Sequence, residues 1–537
     1  MDGAGEAVQV LIVGAGPTGL TAANLLGRYG VRTLVVERNA GVSASPKALF
    51  VDDEFFRTVN GLGLGEALAA HALAPVGFEY RSPLGVVLAS IPGRVTLNGF
   101  HNRNAIFQPA FEHILLDGAT ARHVVAVRFG HALESFVQDG GGGVTARVIG
   151  PDGAAATIAA DYLLACDGAH SGVRRALGME LEEVTPFRQR HLVVDAVDDA
   201  DDSRTAVLIC DPRRPFTTLP VPGRGRRFEI TLHPDDDADA VLADDVLAGF
   251  FRPWRDFSQV NVIRKVVYAF HARLAPRLQD RRVFLLGDAA HVMPPFGSQG
   301  MNSGARDANN IAWKLAAVLT GAAAPALLDT YHVERHDQVR ATILTSTNMA
   351  RIANTPSRAK ALARDGFFAA LSLFPRLKRR LTEAPYVPRP VLTDGFILPA
   401  ADAGAAWVGT VVPQPLVRDA AGGRLLDDVI GPGFALIGID PPAGAAPAGL
   451  ADPSWRALGA APLALRPAGS PAGVVDGVFT GAVADPRFDD LFAAVPGCWL
   501  VVRPDRVVAA VAEPERLAQA GRALAARLAP AAAEAAA

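Results

Sequence analysis

VQVLIVGAGPTGLTAANLLGRYGVRTLVVE, residues 8–37, runs from an apolar segment through a glycine-rich turn and a helical pattern to a second apolar segment ending in an acid. Residues 8–13 read as a buried strand, residues 18–29 as a helix and residues 33–37 as a second strand, a β-α-β unit. The turn holds Gly14, Gly16, Pro17 and Gly19. The first glycine permits the tight turn, the second lets backbone approach a pyrophosphate, and the third lets the helix pack on the strand. The helix start then faces the phosphates with the positive end of its dipole. Glu37, 18 residues after Gly19 and followed by Arg38, stands where an acid bonds a ribose hydroxyl. The competing reading is a glycine turn used for packing alone.

The rest of the chain limits what surrounds this unit. Its 537 residues suffice for two to four domains. Half the residues are hydrophobic and 20% are charged, as in a soluble globular protein. A net charge of −3 argues against a nucleic-acid binder. Cys166, Cys210 and Cys498 form no C-x-x-C, so neither a disulfide framework nor a zinc site is expected, and a reducing, cytoplasmic setting fits. There is no signal-peptide pattern and no apolar run long enough to cross a membrane.

The fingerprint does not separate NAD from FAD, but RRVFLLGDAAHVMPPFGSQGMNSGARDANNIAWKLA, residues 281–316, does. An apolar strand ends in Gly287 and Asp288, a carboxylate suited to the ribityl hydroxyls that FAD has and NAD lacks. Residues Pro294 to Asn302 then exclude regular structure and bare backbone N–H groups, with Pro295, Gly300, Met301 and Asn302 as contacts. A helix is expected from about Ser303, with Ile311, Leu315 and Leu319 on one face. Its start would stabilise negative charge on the edge of a reduced flavin. The bland alternative is an ordinary strand-loop-helix crossover.

A third element, YLLACDGAHSGVRRALG at 162–178, is a strand ending in Asp167-Gly168, followed by Ser171 and Arg174. Together the three segments resemble the fingerprints of the single-component (group A) flavoprotein aromatic hydroxylases, and the resemblance covers nearly the whole chain. It implies that the middle motif serves both FAD and a passing nicotinamide cofactor. It implies that Gln108, in NRNAIFQPAFE, contacts the FAD ribose. Lys47 stands where the family usually has arginine, in a chain with five lysines against 47 arginines, and it loses the bidentate fork at a pyrophosphate or nicotinamide contact. Val51-Asp-Asp-Glu54, Cys210-Asp-Pro212, Arg226-Arg-Phe-Glu229 and Arg503-Pro-Asp505 resemble the 3-(3-hydroxyphenyl)propionate and 3-hydroxycinnamate branch. The PPFGSQGMNSG loop resembles the polyketide hydroxylases as much.

Residues 185–275 turn strand-like, an antiparallel sheet expected to wall off the ring pocket from water. Arg214, Arg226 and Arg227 either bind a substrate carboxylate or form salt bridges on the sheet. Tyr268 and His271 are candidates for the base that activates a phenol, or ordinary strand residues. His332 and His336 have metal-ligand spacing, but the segment resembles a family helix with no metal, and none is expected. The Gly140–Gly143 run reads as a hairpin and the acid runs as solvated turns. After about 390 short strands and helices resemble the family's appended thioredoxin-like domain; the last residues read as frayed helix.

The expected fold is α/β: a Rossmann-like FAD-binding domain at 1–180 and 277–390, an antiparallel-sheet substrate domain at 181–276, and a thioredoxin-like C-terminal domain without CxxC at 391–537. The resemblance implies an NAD(P)H- and FAD-dependent monooxygenase. NADH or NADPH reduces the flavin, O₂ adds to give a C4a-hydroperoxide, and a phenolic acid becomes a catechol in aromatic catabolism. Small phenolic substrates, no nucleic acid, no membrane and a homodimer are the expected partners. A polyketide hydroxylase and a non-catalytic FAD-binding protein are the alternatives; a flavin halogenase is disfavoured, since no two tryptophans lie two apart.

Overall fold

The computed structural model describes residues 6–529 except 141, 375, 378–390, 400–402, 420–421, 443–445, 471–472, 476–477 and 484. The alanine-rich tail from 530, read as frayed helix, residue 141 of the glycine run and the 390 boundary lie outside the described residues.

Three eight-stranded sheets organise the chain. The first centres on Glu6–Val13, flanked in parallel by Thr33–Glu37 and Ala155–Ala165, with Val283–Leu285 parallel beyond the latter. Their interior residues are apolar on both faces, as a parallel sheet covered on both sides requires. Register decides function here. Val13 pairs with Ala165 and Ala165 with Leu285, so three distant strands end side by side. The turn after Val13, the loop after Ala165 and the turn after Leu285 therefore leave the same edge, where ligands of open α/β sheets sit.

Helix Pro17–Arg28 follows the first turn, and helix Gln299–Leu319 packs across its start. The approach is close: a Cβ on Gly304 would lie 2.2 Å from Thr18 Oγ1 and 3.2 Å from the Gly287 Cα. The later helix starts at Gln299, not near Ser303. Ser298 turns the chain in the left-handed region at φ 57°, and the Asn302 side chain donates to Ser298 O at 2.7 Å, so hydrogen bonding overrides the poor helix propensity of Gly300 and Asn302. Gly300, Met301 and Asn302 thus form its first turn.

The second sheet is mostly antiparallel and holds the strands Glu182–Val197, Thr205–Ile209, Phe216–Val221, Gly225–Thr231 and Asn261–Leu274. It also recruits Gly77–Arg81, Val87–Ile91 and His291–Val292 from outside that stretch. One face, with Leu192, Val194, Phe228 and Ile230, buries against helix Asp244–Phe251. The other face packs on Leu49, Phe50 and Phe296, towards the first sheet.

The third sheet lies at 416–512 in the order Gly422–Leu425, Leu416–Asp419, Val478–Val483, Ala461–Pro467, Ala435–Ile439, Trp499–Val502, Val508–Ala512, with Gly473–Val475 paired to Val478–Val483 off that path. It is anchored by a buried ion cluster: Arg503 grips Glu334 with two bonds of 2.9 and 2.8 Å, and Lys314 reaches the same carboxylate at 2.8 Å. Paired in this way, the charges tolerate a site that would reject any one of them alone.

Candidate active site

The first turn shows what each glycine does. Gly14 has φ +106°, and a Cβ there would lie 2.3 Å from Cys166 O, so the turn touches the neighbouring loop. A Cβ on Gly19 would fall 2.0 Å from Gly14 O, which fixes helix against turn. Gly16 is different: a Cβ there meets nothing within 4 Å. No protein contact requires glycine at that position, and the space beside it is open. Pro17 begins the helix, whose first N–H groups face the same space. Glu37 arrives from the next strand and accepts from Ala15 N at 2.9 Å and Asn39 N at 2.9 Å, bracing the turn while keeping lone pairs for a hydroxyl. Arg38 is exposed and has no hydrogen-bond partner among the described residues.

In the second loop, Asp167 Oδ2 accepts from Gly172 N and Val173 N at 2.8 and 3.2 Å, while Oδ1 is buried without a partner. Arg174 is spent differently: it donates to Ala289 O and Ala169 O at 2.9 and 3.1 Å, tying the second loop to the third.

In the third turn, Gly287 is left-handed at φ +57°. Asp288 is exposed to water yet deep in protein: burial pushes its carboxyl up, against the opposing charges of His291 and Lys47. Accessibility together with strong desolvation fits a carboxylate set in a cleft. It has no partner among the described residues, so its oxygens are free for hydroxyl donors. The turn is held from behind by Asp307, which reading the sequence alone did not single out. Asp307 Oδ2 accepts from Gly287 N at 3.0 Å and meets His291 Nε2 at 2.8 Å, and Oδ1 accepts from Arg335 at 2.8 Å. Burial pushes its carboxyl up, but Arg335 and His291 outweigh burial and hold it at about 2.

Lys47 lies over this cleft, exposed and without a side-chain partner among the described residues, and its charge reaches both Asp288 and Glu112. Its backbone is clamped from two sides. Gln108 Oε1 accepts from Lys47 N and Ala48 N at 2.8 and 2.7 Å, and Gln108 Nε2 donates to Glu112 at 2.7 Å. From the second sheet, Arg227 donates to Lys47 O and Pro46 O, and Arg264 also donates to Pro46 O. Gln108 is therefore a brace for the Lys47 segment.

Pro295, Gly300 and Met301 are partly exposed around the start of helix Gln299–Leu319. Asn302 is turned inward: it accepts from Asp52 N at 3.1 Å and donates to Phe50 O at 3.3 Å. Of the two base candidates, Tyr268 is on the inner sheet face with its hydroxyl held by Arg264. His271, three residues on, falls on the opposite face by strand alternation, so the structure does not bring the two together. Burial and the charges of Arg273 and Arg188 lower its pKa. The three arginines form salt bridges: Arg214 with Asp236 at 2.6 Å, Arg226 with Asp201 at 3.1 Å and Arg227 with Asp195 at 2.6 Å. The inner face instead presents His191 and Glu229, 3.8 Å apart, with the His191 ring edge-on to Phe296 at 6.4 Å. Although burial pushes the Glu229 carboxyl up, His191 and Arg227 hold it below the usual glutamate value. His332, outside the cleft, accepts from Leu278 N at 3.3 Å, and no metal-holding cluster of three or more His, Cys, Asp or Glu occurs among the described residues.

A family model described as an FAD binding domain matches residues 7–346, and one described as an HcaD C-terminal domain matches 409–527. A 3-(3-hydroxy-phenyl)propionate/3-hydroxycinnamic acid hydroxylase of Mycolicibacterium smegmatis is 36% identical over 94% of this chain and 90% of its own length. One of the same name from Comamonas testosteroni is 35% identical over 96% of both chains. Among solved structures, aklavinone-11 hydroxylase with FAD and aklavinone superposes with a TM-score of 0.78 at 24% identity, covering 98% of this chain and 100% of the other. Anhydrotetracycline hydroxylase from Streptomyces rimosus gives 0.71 at 27%, covering 95% and 96%. Three loops converging on one sheet edge, a glycine with open space beside it, and an unpartnered carboxylate at that edge agree with these likenesses: the chain belongs to the FAD-dependent, group A flavoprotein aromatic hydroxylases.

Proposed function

We propose that this enzyme hydroxylates the ring of a phenolic aromatic acid such as 3-(3-hydroxyphenyl)propionate or 3-hydroxycinnamate, giving the catechol. The observation that carries this reading is the name shared by relatives 35–36% identical over nearly the whole chain. Bound FAD supplies the redox and oxygen-activating chemistry, fed by NADH or NADPH; the protein positions it, stabilises charge and excludes water.

Within that reading, Gly14, Gly16, Pro17 and Gly19 take the pyrophosphate, and Glu37 takes a ribose hydroxyl. Asp288 takes the ribityl chain, and the Gln299 helix start, with Gly300 and Met301 in its first turn, faces the ring edge that gains negative charge. Asp167 and Lys47 serve the cofactor from the second loop and from above the cleft. Gln108, Arg174 and Asn302 act behind them as positioning residues. The inner sheet face, with His191, Glu229 and Tyr268, walls the substrate. The strand order Val508–Ala512, Trp499–Val502, Ala435–Ile439, Ala461–Pro467 and a helix at Leu517–Leu528 support a thioredoxin-like carboxy-terminal unit acting as a brace. A homodimer and a cytoplasmic setting complete the proposal. No helix among the described residues is long and apolar enough to cross a membrane.

One observation favours a second reading, a phenolic polyketide-like substrate without a carboxylate. The arginines expected to grip a carboxylate all hold acids of the chain, and the wall carries Glu229 instead. The experiment is NADH and NADPH oxidation by FAD-loaded protein with and without 3-(3-hydroxyphenyl)propionate, with product mass and hydrogen peroxide measured. Stimulation with a product gaining one oxygen supports the first reading. Stimulation with peroxide only points to another ring. No stimulation by any phenol of a panel counts against a hydroxylase substrate of either kind.

A further inference from the structure

A separate cavity, partly open to solvent, lies between helices Pro17–Arg28, Asp53–Gly61 and Gln299–Leu319 and the carboxy-terminal unit. None of the three loops at the sheet edge lines it. Its wall carries five arginines: Arg306 and Arg335 are paired with Asp52, Glu54 and Asp307, Arg57 and Arg506 share one carboxylate, Asp427, and Arg28 stands beside them. Arg57 holds Asp427 with two bonds of 2.7 Å, and Arg506 Nε approaches it at 3.1 Å. Arg28 has no hydrogen-bond partner among the described residues, although its charge is felt at Asp427, Arg506 and Tyr29. The other acids on the wall are committed elsewhere, Glu54 to Arg306 and Asp505 to Arg503. Arg28 is thus the arginine of this wall with no carboxylate bonded to it among the described residues.

Two further details point to a missing anion. Arg506 is 8% exposed, and its Nη1 is buried with no hydrogen-bond partner, which is costly for a charged group. Tyr29, also on the wall, has its phenol pushed up to about 12 by burial, so it remains a donor, and its present bond to Pro432 O is long at 3.5 Å. Guanidinium forks match phosphate oxygens, and a phosphate offers more acceptors than a monocarboxylate to two guanidinium groups and a phenol.

We propose that this cavity binds a phosphate group, free or carried by a small metabolite, gripped by Arg28, Arg506 and the Tyr29 hydroxyl. The site bridges the amino-terminal unit and the carboxy-terminal unit, so occupancy links them. It is independent of the flavin cleft and of the substrate reading above.

The test uses the full-length protein loaded with FAD, so that its pyrophosphate site is filled. Inorganic phosphate, ADP and acetate are titrated calorimetrically at constant ionic strength, with melting temperature followed in parallel. Saturable phosphate or ADP binding with a raised melting temperature, and none with acetate, is expected. Arg28→Gln should weaken that binding about tenfold with FAD content unchanged, and Arg28→Lys should recover part of it. Tighter binding of ADP than of phosphate assigns a metabolite-borne group, and the reverse assigns free phosphate. No saturable binding of either, equal binding of acetate, or binding that Arg28→Gln leaves intact would overturn the proposal.

Discussion

Arg227 Nη1 donates to the backbone carbonyl of Lys47 at 2.8 Å across 180 residues of sequence. Nη2 of the same guanidinium donates to Pro46 O at 2.7 Å, and Nε bonds Asp195 at 2.6 Å. One buried side chain on the second sheet therefore fixes the height of the Lys47 segment above the cleft. Nη2 also reaches the second oxygen of Asp195 at 3.2 Å, and Arg227→Lys keeps the charge but cannot make these four bonds. We expect that variant to fold, to hold FAD at least tenfold more weakly, and to lose flavin on gel filtration. Unchanged flavin affinity would mean the clamp does not shape the cofactor site.

The glycines of the first turn separate folding from binding. Gly14→Ala forces a side chain into φ +106° and against Cys166 O, so it should lower the melting temperature by several degrees or prevent folding. Gly16→Ala meets no protein atom, so its melting temperature without flavin should match the parent. Its flavin affinity should still fall at least tenfold, because the methyl group occupies ligand space. A Gly16→Ala protein that retains full flavin affinity would remove the ligand explanation for that glycine.

What could be read from the chain beforehand divides along the range of the signals. The strand-turn-helix at 8–37 is encoded by residues within a few turns of one another, so periodicity and glycine spacing suffice. The resemblance placed the other two loops in the same family pattern. The registers that align Val13, Ala165 and Leu285 arise from packing over more than a hundred residues, and no local pattern reports them. For the same reason Asp307 looked like one more polar residue on a helix, and only the fold places His291, Gly287 and Arg335 around it. The helix start is not legible because Gly300 and Asn302 are weak helix formers whose cost is offset by the bonds Asn302 accepts from Asp52 N and donates to Ser298 O and Phe50 O. Tyr268 and His271 are each candidates from residue type alone, and their odd spacing on one strand separates them to opposite faces.

Asp307 also predicts an acid limit. Its folded pKa, about 2, lies below the usual value of 3.8, so its contribution to stability is present above pH 4 and is lost as pH falls towards 2. The size is about 2 kcal/mol. Asp307→Asn should remove this part of the acid transition. It should also destabilise the protein by about 3 kcal/mol at pH 7, since Arg335 stays buried without its partner. Urea melts of both proteins between pH 7 and 3 measure the two effects together. Parallel pH profiles for parent and variant would show that Asp307 does not set the acid limit.

Lys47 lends its charge to the cleft, where Asp288 and Glu112 both feel it. Lys47→Ala should leave the fold intact, since the ammonium has no partner among the described residues. The measurement is the flavin dissociation constant beside the KM for NADH and NADPH. A loss confined to flavin affinity places the charge on the FAD pyrophosphate, and a raised KM with flavin retained places it on the nicotinamide cofactor. Neither change would exclude Lys47 from both contacts.

Glu229 is an acid on the inner sheet face that can accept from a ring hydroxyl. It lies deep in the protein but its side chain is 14% exposed, as a residue walling an internal cleft would be, and His191 stands 3.8 Å away. A hydrogen bond from phenol to this carboxylate would orient the ring and raise electron density ortho to the hydroxyl. Glu229→Gln keeps the shape and an acceptor but removes the charge. We expect kcat for hydroxylation to fall at least tenfold and the fraction of NADH diverted to hydrogen peroxide to rise, with KM for NADH unchanged. A phenol-binding difference spectrum adds a readout that lost packing would not mimic, because the shift towards phenolate should shrink in the variant. If coupling, kcat and the bound-phenol spectrum all match the parent, Glu229 does not face the reacting hydroxyl, and Tyr268 on the same wall becomes the next residue to test.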